Sequence, residues 1–259
     1  MKINRIYVKG DCHGDYDFLP QFCAQEQTTK EDVLILLGDN ALRFEGYKNR
    51  REVRRKEDVR RFPITIFALS GNHDSPLYLT RPGECELVNY PFEEEHTNPM
   101  MWWDKEYPNI YYFMREEPLY WIKGKKCAIL QGAYSVDKDY RLENHWTWFP
   151  DEQLPAEMRD DISAQLWGQD IAYVMSHTCP FEWISFFYGD FIKGIKQEDV
   201  DQSTELWLSL IKNFTDYGFW LFGHYHRDQS FPEEKARILY HSILNLEENK
   251  IIFVEETKH

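Results

Sequence analysis

Eight short apolar runs set the terms on which this chain can fold: residues 3–8 (INRIYV), 32–37 (DVLILL), 64–69 (ITIFAL), 127–132 (CAILQG), 171–176 (IAYVMS), 219–222 (FWLF), 237–244 (RILYHSIL) and 251–254 (IIFV). Each is too short for a helix and rich in Ile, Val, Leu and aromatic side chains, as buried strands are. Helical patterns fall between some of them, at Asp15–Gln27, Arg50–Arg61, Pro155–Trp167 and Glu198–Phe214. Strands alternating with helices along the whole length predict an α/β fold whose sheets are covered by helices. The 259 residues suffice for one large domain, and no repeat, low-complexity tract or Gly/Ser/Pro-rich linker divides them. We therefore expect a single domain over residues 1–259.

Five of the runs end alike. IYVKGDCHG, VLILLGDN, IFALSGNHD, YVMSHTC and FWLFGHYH each pass from apolar residues into a cluster of Asp, Asn and His, usually after a glycine that lets the backbone turn sharply. Ligands of open α/β sheets bind beyond the carboxyl ends of the strands, so parallel strands would carry all five clusters to one rim. Asp11 and His13 are one residue apart, as are His224 and His226. In extended backbone such pairs point to the same side, which turns Cys12 and Tyr225 to the other.

Asp11, His13, Asp39, Asn72, His177, His224 and His226 make seven candidate metal ligands. That is too many for one ordinary transition-metal ion and suits two ions with a shared ligand. Imidazole mixed with carboxylate and carboxamide oxygen, without thiolate, favours Mn, Fe, Zn or Ni over Ca or Mg. Two divalent ions offset by Asp11, Asp39 and a bridging hydroxide leave about one positive charge to attract a phosphate. Such a pair generates hydroxide at neutral pH and clamps the attacking and leaving oxygens of an in-line displacement, so phosphate-ester hydrolysis is the natural reaction. His73, beside Asn72, is the candidate for protonating the leaving oxygen or steadying charge on phosphorus.

These residues resemble the calcineurin-like metallophosphoesterase superfamily. Its ordered motifs stand here as Gly10-Asp11-Cys12-His13-Gly14, Gly38-Asp39 followed by Arg43, Gly71-Asn72-His73-Asp74, His177, and Gly223-His224-Tyr225-His226. The resemblance implies two packed mixed β-sheets flanked by helices, a four-layer αββα sandwich with a dinuclear site at the strand ends. It assigns Asp11, His13 and His226 to one metal and Asn72, His177 and His224 to the other, with Asp39 bridging. It gives His73 to the leaving group and Arg43 to substrate phosphate. Protein phosphatases of the superfamily carry an aspartate that orients the catalytic histidine and a glycine after the arginine. Here those positions are Leu42 and Phe44, and His73 lacks that carboxylate partner.

Composition narrows the function from outside. A net charge of -14 disfavours binding to nucleic acid, which rests on many Lys and Arg contacts to phosphates. Residues 48–61 run against that trend, with eight basic and three acidic side chains. They form either a flank attracting a phosphorylated substrate or a solvated helix face with internal ion pairs. Five cysteines without a CxxC pair read as reduced thiols, no apolar run approaches the roughly 18 residues of a membrane span, and the amino terminus matches no signal peptide. We expect a cytoplasmic protein without membrane association, acting on a phosphorylated substrate. A binding scaffold that keeps the fold without the chemistry, and a nuclease, are the alternatives. GxSxG, P-loop and GxGxxG motifs are lacking. The segment from Tyr134 to Pro155 is either a loop over the site bringing Asp137, Arg141 and His145 to substrate or a surface excursion. Ser75–Asn109 carries no assignment, and His96, His145, His241 and His259 read as ordinary histidines.

Overall fold

The computed structural model describes residues 3–44, 49–75, 83–89, 96–186 and 200–254. Lys48, His259, parts of the 75–109 stretch and the first residues of the helix expected from Glu198 lie outside them. The chain begins one sheet with β1 (Ile6–Lys9), β2 (Val33–Leu37) and β3 (Thr65–Leu69), paired in parallel and connected through α1 (Leu19–Glu26) and α2 (Arg50–Arg60). β4 (Cys85–Asn89), β5 (Met100–Asp104) and β6 (Ile110–Tyr112) extend it beyond β3. A second sheet takes β7 (Leu119–Ile122), β8 (Lys125–Leu130), β9 (Asp170–Ser176), β10 (Asp216–Phe222), β11 (Gln229–Phe231) and β12 (Ala236–Ile238). Between its strands run α3 (Lys138–Glu143), α4 (Ala156–Leu166) and α5 (Ser203–Phe214). The chain then returns to the first sheet for β13 (Ile243–Asn245) and β14 (Lys250–Ile252). The strand orders are β14-β13-β1-β2-β3-β6-β5-β4 and β11-β12-β10-β9-β8-β7.

The two-residue period of a strand distributes each central run between two cores. In β2, Val33, Ile35 and Leu37 face the core between the sheets, which also takes Ile129, Met175 and Leu221 from the second sheet. Leu34 and Leu36 face the opposite way, onto Leu19, Phe22 and Val59 of the helices covering the first sheet. On the far side of the second sheet, Val174, Trp220 and Phe222 pack against Ile162, Leu166, Leu208 and Ile211 of α4 and α5. Helix, sheet, sheet and helix form four layers, as the family resemblance implied.

Two stretches differ from the expectation. Residues 237–244 are not one strand: β12 pairs with β10 in the second sheet and β13 pairs with β1 in the first. The crossover between them is pinned by the Asp228 carboxylate, which accepts from the backbone N–H of Tyr240, His241 and Ser242 at 2.9–3.1 Å. Strands β4 to β7 went unassigned because they are only three to five residues long and mix buried with partly exposed positions, so they lack a continuous apolar signature. Among the described residues no helix is long and apolar enough to cross a membrane.

The basic segment is largely a solvated helix face. Arg54 and Arg61 pair with Asp58, and Arg60 with Glu57, at 3.1–3.9 Å and with the arginines mostly exposed. Its inner face is unusual, because Lys56 is 2 % exposed and lies 2.6 Å from Glu84, 2.9 Å from Asp104 and 3.6 Å from Glu52. Burial pulls its ammonium pKa down, but Asp104 and Glu84 outweigh that and raise it above the usual lysine value. Replacing one member of a buried ion cluster strands the others without compensation. Lys56→Met is therefore expected to cost about 3–5 kcal/mol, read as a lower midpoint in urea unfolding.

Candidate metal centre

The five polar clusters do converge. Asp11 and His13 follow β1, Asp39 follows β2, Asn72 and His73 follow β3, His177 follows β9, and His224 and His226 follow β10. All five strands run parallel within their sheets, so both sheets deliver their ends to a shared rim. The local geometry differs from the expected extended pairs. His13, Asp39, His224 and His226 have φ of 46°, 46°, 67° and 52°, in the left-handed region that non-glycine residues seldom occupy. Asp11 with His13, and His224 with His226, thus converge through tight turns instead of a strand pleat. Strain of this kind persists where surrounding contacts over-determine it and clusters at functional sites. Gly71 shows how crowded the rim is: a Cβ there would overlap Asp39 Oδ1 and His177 Cε1.

Three overlapping donor groups each lie within 4.8 Å: Asp11 with His13 and His226, Asp11 with Asp39 and His177, and His13 with Asp39 and His73. His13 Nε2 and His226 Nε2 are 2.8 Å apart. His177 Nε2 is 2.9 Å from Asn72 Oδ1 and 3.4 Å from Asp39 Oδ1, while Asp39 Oδ2 lies 3.9 Å from Nε2 of both His13 and His73. The two oxygens of Asp39 therefore face different imidazoles. The His224 ring sits 4.9 Å from that of His177. His13, Asp39, Asn72, His73, His224 and His226 line one cavity of about 450 Å³.

Supporting contacts orient these donors. His177 Nδ1 donates to the Leu37 carbonyl at 2.7 Å, which leaves Nε2 free of its proton and turned toward Asn72 and Asp39. Asn72 Nδ2 donates to Ser135 Oγ, which donates to buried Glu152, so the amide presents its oxygen to the site. Asp11 Oδ2 accepts from the His224 N–H at 2.8 Å, whereas its Oδ1 is buried without a hydrogen-bond partner. A buried carboxylate oxygen left bare is costly unless a cation meets it.

The electrostatics fit the same group. Burial pushes the Asp11 carboxyl up to about 7 and the Asp39 carboxyl well above its usual range. It pushes His13 down to about 4, and His224 and His226 below the usual imidazole value. Neutral imidazoles and carboxylates short of positive charge are the state in which metal ligands bind a cation. The residues present thus fit a pair of divalent ions.

The remaining sequence candidates divide. His73 stands at the cavity, and the segment after β8 comes to it: Asp137 lines the cavity and Arg141 Nη2 lies 2.6 and 2.7 Å from the two ring nitrogens of His73. His145, from the same segment, is exposed and is not among the cavity residues. Arg43 is not brought to the cavity. Its side chain is buried, with Nη1 3.7 Å from Cys85 Sγ and the guanidinium over the Tyr112 ring. Sequence reading missed Ser135 and Glu152, whose roles depend on contacts across the fold. It also left Asp74 without a role. That carboxylate accepts from the backbone of Ala41 and Gly71 and from the Asn40 side chain at 2.9–3.0 Å, tying the loops after β2 and β3 together.

Without metal, the native state keeps the Asp11 proton up to about pH 7, whereas the unfolded chain releases it near the ordinary carboxyl value of 3.8. The native state binds the extra proton between these limits, so stability falls as pH rises through them, by at most about 1.4 kcal/mol per pH unit for one proton. His13, His73, His224 and His226, held below the usual imidazole value, act in the opposite sense at acid pH. The Asp11 share is therefore read as a difference: between pH 5 and pH 8 the urea midpoint of chelator-stripped Asp11→Asn is expected to rise more, or fall less, than that of the wild type.

No curated protein matches the sequence significantly. Solved structures similar to this chain include the protein TT1561 of Thermus thermophilus, at 13% identity and a TM-score of 0.46, covering 96% of this chain and 97% of that one. Phosphopantetheinyl hydrolase (PptH) from Mycobacterium tuberculosis is similar at 14% identity and a TM-score of 0.41, covering 91% of this chain and 88% of that one. The family model described as calcineurin-like phosphoesterase matches residues 4–228. With that match over the stretch that carries every cluster of the rim, the chain belongs to the calcineurin-like phosphoesterase family.

Proposed function

We propose that this protein is a hydrolase of phosphomonoesters or phosphodiesters that works with two divalent transition-metal ions drawn from Mn, Fe, Zn and Ni. The observation that carries the reading is the set of overlapping Asp and His groups around one cavity, with a bare buried oxygen on Asp11. Asp11, His13 and His226 would hold one ion, Asn72, His177 and His224 the other, and Asp39 both. When bound, such ions lower the pKa of a water molecule and neutralise charge on the phosphoryl oxygens.

The chain's own residues do the rest. Ser135 and Glu152 keep the Asn72 oxygen aimed inward. Burial, and after it the Arg141 guanidinium, hold His73 near a pKa of about 2, so its ring is neutral. It assists the leaving group by donating a hydrogen bond from a ring N–H to the departing oxygen. Arg227 lines the cavity and is the guanidinium we assign to substrate oxygens in place of Arg43, which is packed in the core. A cavity of about 450 Å³ suits a small organic phosphate. Arg51, Arg54, Arg55 and Arg61 line a neighbouring groove that reaches His13, but Asp15, Asp17 and Asp58 line it too and leave only a slight excess of positive charge. Five free thiols support a reducing compartment, the cytoplasm. We read residues 1–259 as one domain.

Manganese-loaded protein is expected to hydrolyse nitrophenyl phosphate or bis(nitrophenyl) phosphate and to lose turnover on chelation. His73→Ala should lower kcat by about 10²- to 10⁴-fold with metal content retained. Metal-replete protein that turns over neither ester would sink the reading.

A further inference from the structure

Three of the candidate ligands hang on two short loops whose outer sides are bonded to each other. β9 and β10 pair in parallel as far as Ser176 and Phe222. Beyond that point one loop carries His177 and the other His224 and His226, and the Gly223 N–H donates to the His177 carbonyl at 2.9 Å. A single bond between two loops leaves a pivot, about which the imidazoles can turn toward or away from one another. Side chains supply further points of attachment. Thr178, next to His177, has Oγ1 3.0 Å from the hydroxyl of Tyr225, which stands between His224 and His226. The Cys179 thiol donates to the same hydroxyl at 3.5 Å.

This tie is anchored from outside the loops. Thr178 Oγ1 donates to Oε1 of Glu205, in the first turn of α5, at 2.9 Å, and both residues are buried. Glu205 Oε2 is buried without a hydrogen-bond partner. A buried carboxyl group with one bare oxygen costs stability that an apolar side chain would not, so its use lies in what it holds, the Thr178 hydroxyl. The Tyr225 ring packs against the core on the far side of the second sheet, edge-on to Phe222 at 6.2 Å. His224 and His226 flank it with φ of 67° and 52°, so a strained turn is held at its middle residue. The two halves of the metal centre do not depend on the tie equally. His177 and His224, assigned to the same ion, lie on opposite sides of it, whereas His226, assigned to the other, has separate support from the Tyr240 ring stacked on it at 4.7 Å.

We propose that Thr178, held by Glu205 and bonded to Tyr225, is a positioning residue that fixes His177 relative to His224 and thereby sets the affinity for the ion those histidines share with Asn72. The role rests on the two-ion phosphoesterase reading for its purpose, and it is measured as metal binding with no ester present.

The test is chelator competition against the cobalt-loaded full chain, followed by the visible absorption of bound cobalt. Asn72→Ala marks which of the two binding steps belongs to the ion of His177 and His224. Tyr225→Phe and Thr178→Val should weaken that step by about 10- to 100-fold and leave the other close to the wild type. Thr178→Ser, which keeps the hydroxyl, should restore it. Thr178→Val alone strands the Glu205 carboxyl, so the double variant Thr178→Val with Glu205→Leu separates position from stability: its metal-free urea midpoint should lie near that of the wild type while the affinity stays low. If the double variant does not fold, Tyr225→Phe decides alone. Wild-type affinity in either, or equal weakening of both steps, overturns the proposal. Affinities that split as expected in a protein that hydrolyses neither nitrophenyl ester leave the positioning role standing and remove the phosphoesterase reading.

Discussion

Everything at the rim depends on hydrogen bonds that run between the two sheets. Asp11, at the end of the first sheet, accepts from the backbone of His224 in the second, and His177 of the second donates to the Leu37 carbonyl of the first. Within the first sheet, the Asp39 carbonyl accepts from the backbone of Cys12 and His13, and its carboxylate accepts from the backbone of His73. The candidate metal ligands are therefore among the residues that clasp the layers together. This explains why four of them tolerate left-handed backbone: the turns are fixed from both sides, and a relaxed turn would break a crosslink. It also means that the position of each donor is set by two packed sheets, whose relative placement is governed by a close-packed core.

The parts of this arrangement written locally in the chain were legible from sequence. The strand runs of β1, β2, β3, β9 and β10 are apolar segments whose ends toward the rim are buried on both faces, and that signal survives without knowledge of neighbours. Each is followed by glycine or a polar cluster, so the rim could be anticipated. Periodicity misled at 237–244, where two strands of different sheets abut with a crossover of only four residues between them. It misled again in the geometry of His13, His224 and His226, because spacing alone does not distinguish a pleat from a turn.

The remainder of the site depends on long-range partners. Ser135 and Glu152 act on Asn72 from more than sixty residues away, and Arg141 meets His73 across 68 residues of sequence. The Tyr134–Pro155 segment offered Arg141 as a possible substrate contact, but nothing in it points to His73 as its neighbour. Arg43 shows the converse. A motif position points to a substrate contact, yet its guanidinium sits in the core against Cys85 and Tyr112. Chemistry at such positions follows from where the side chain is packed, which motif spacing does not encode.

The crossover held by Asp228 has a consequence for the order in which the molecule can be completed. β13 covers the free edge of β1, and β1 leads directly into Asp11 and His13. In a chain emerging amino terminus first, that edge stays unpaired until residues 243–245 arrive, some 230 residues later in sequence. The crossover is also where Tyr240 stacks on His226 at 4.7 Å and offers its carbonyl to Lys9. Closure of the first sheet and seating of the last histidine are thus one event, and the rim is finished only when the ends of the fold meet.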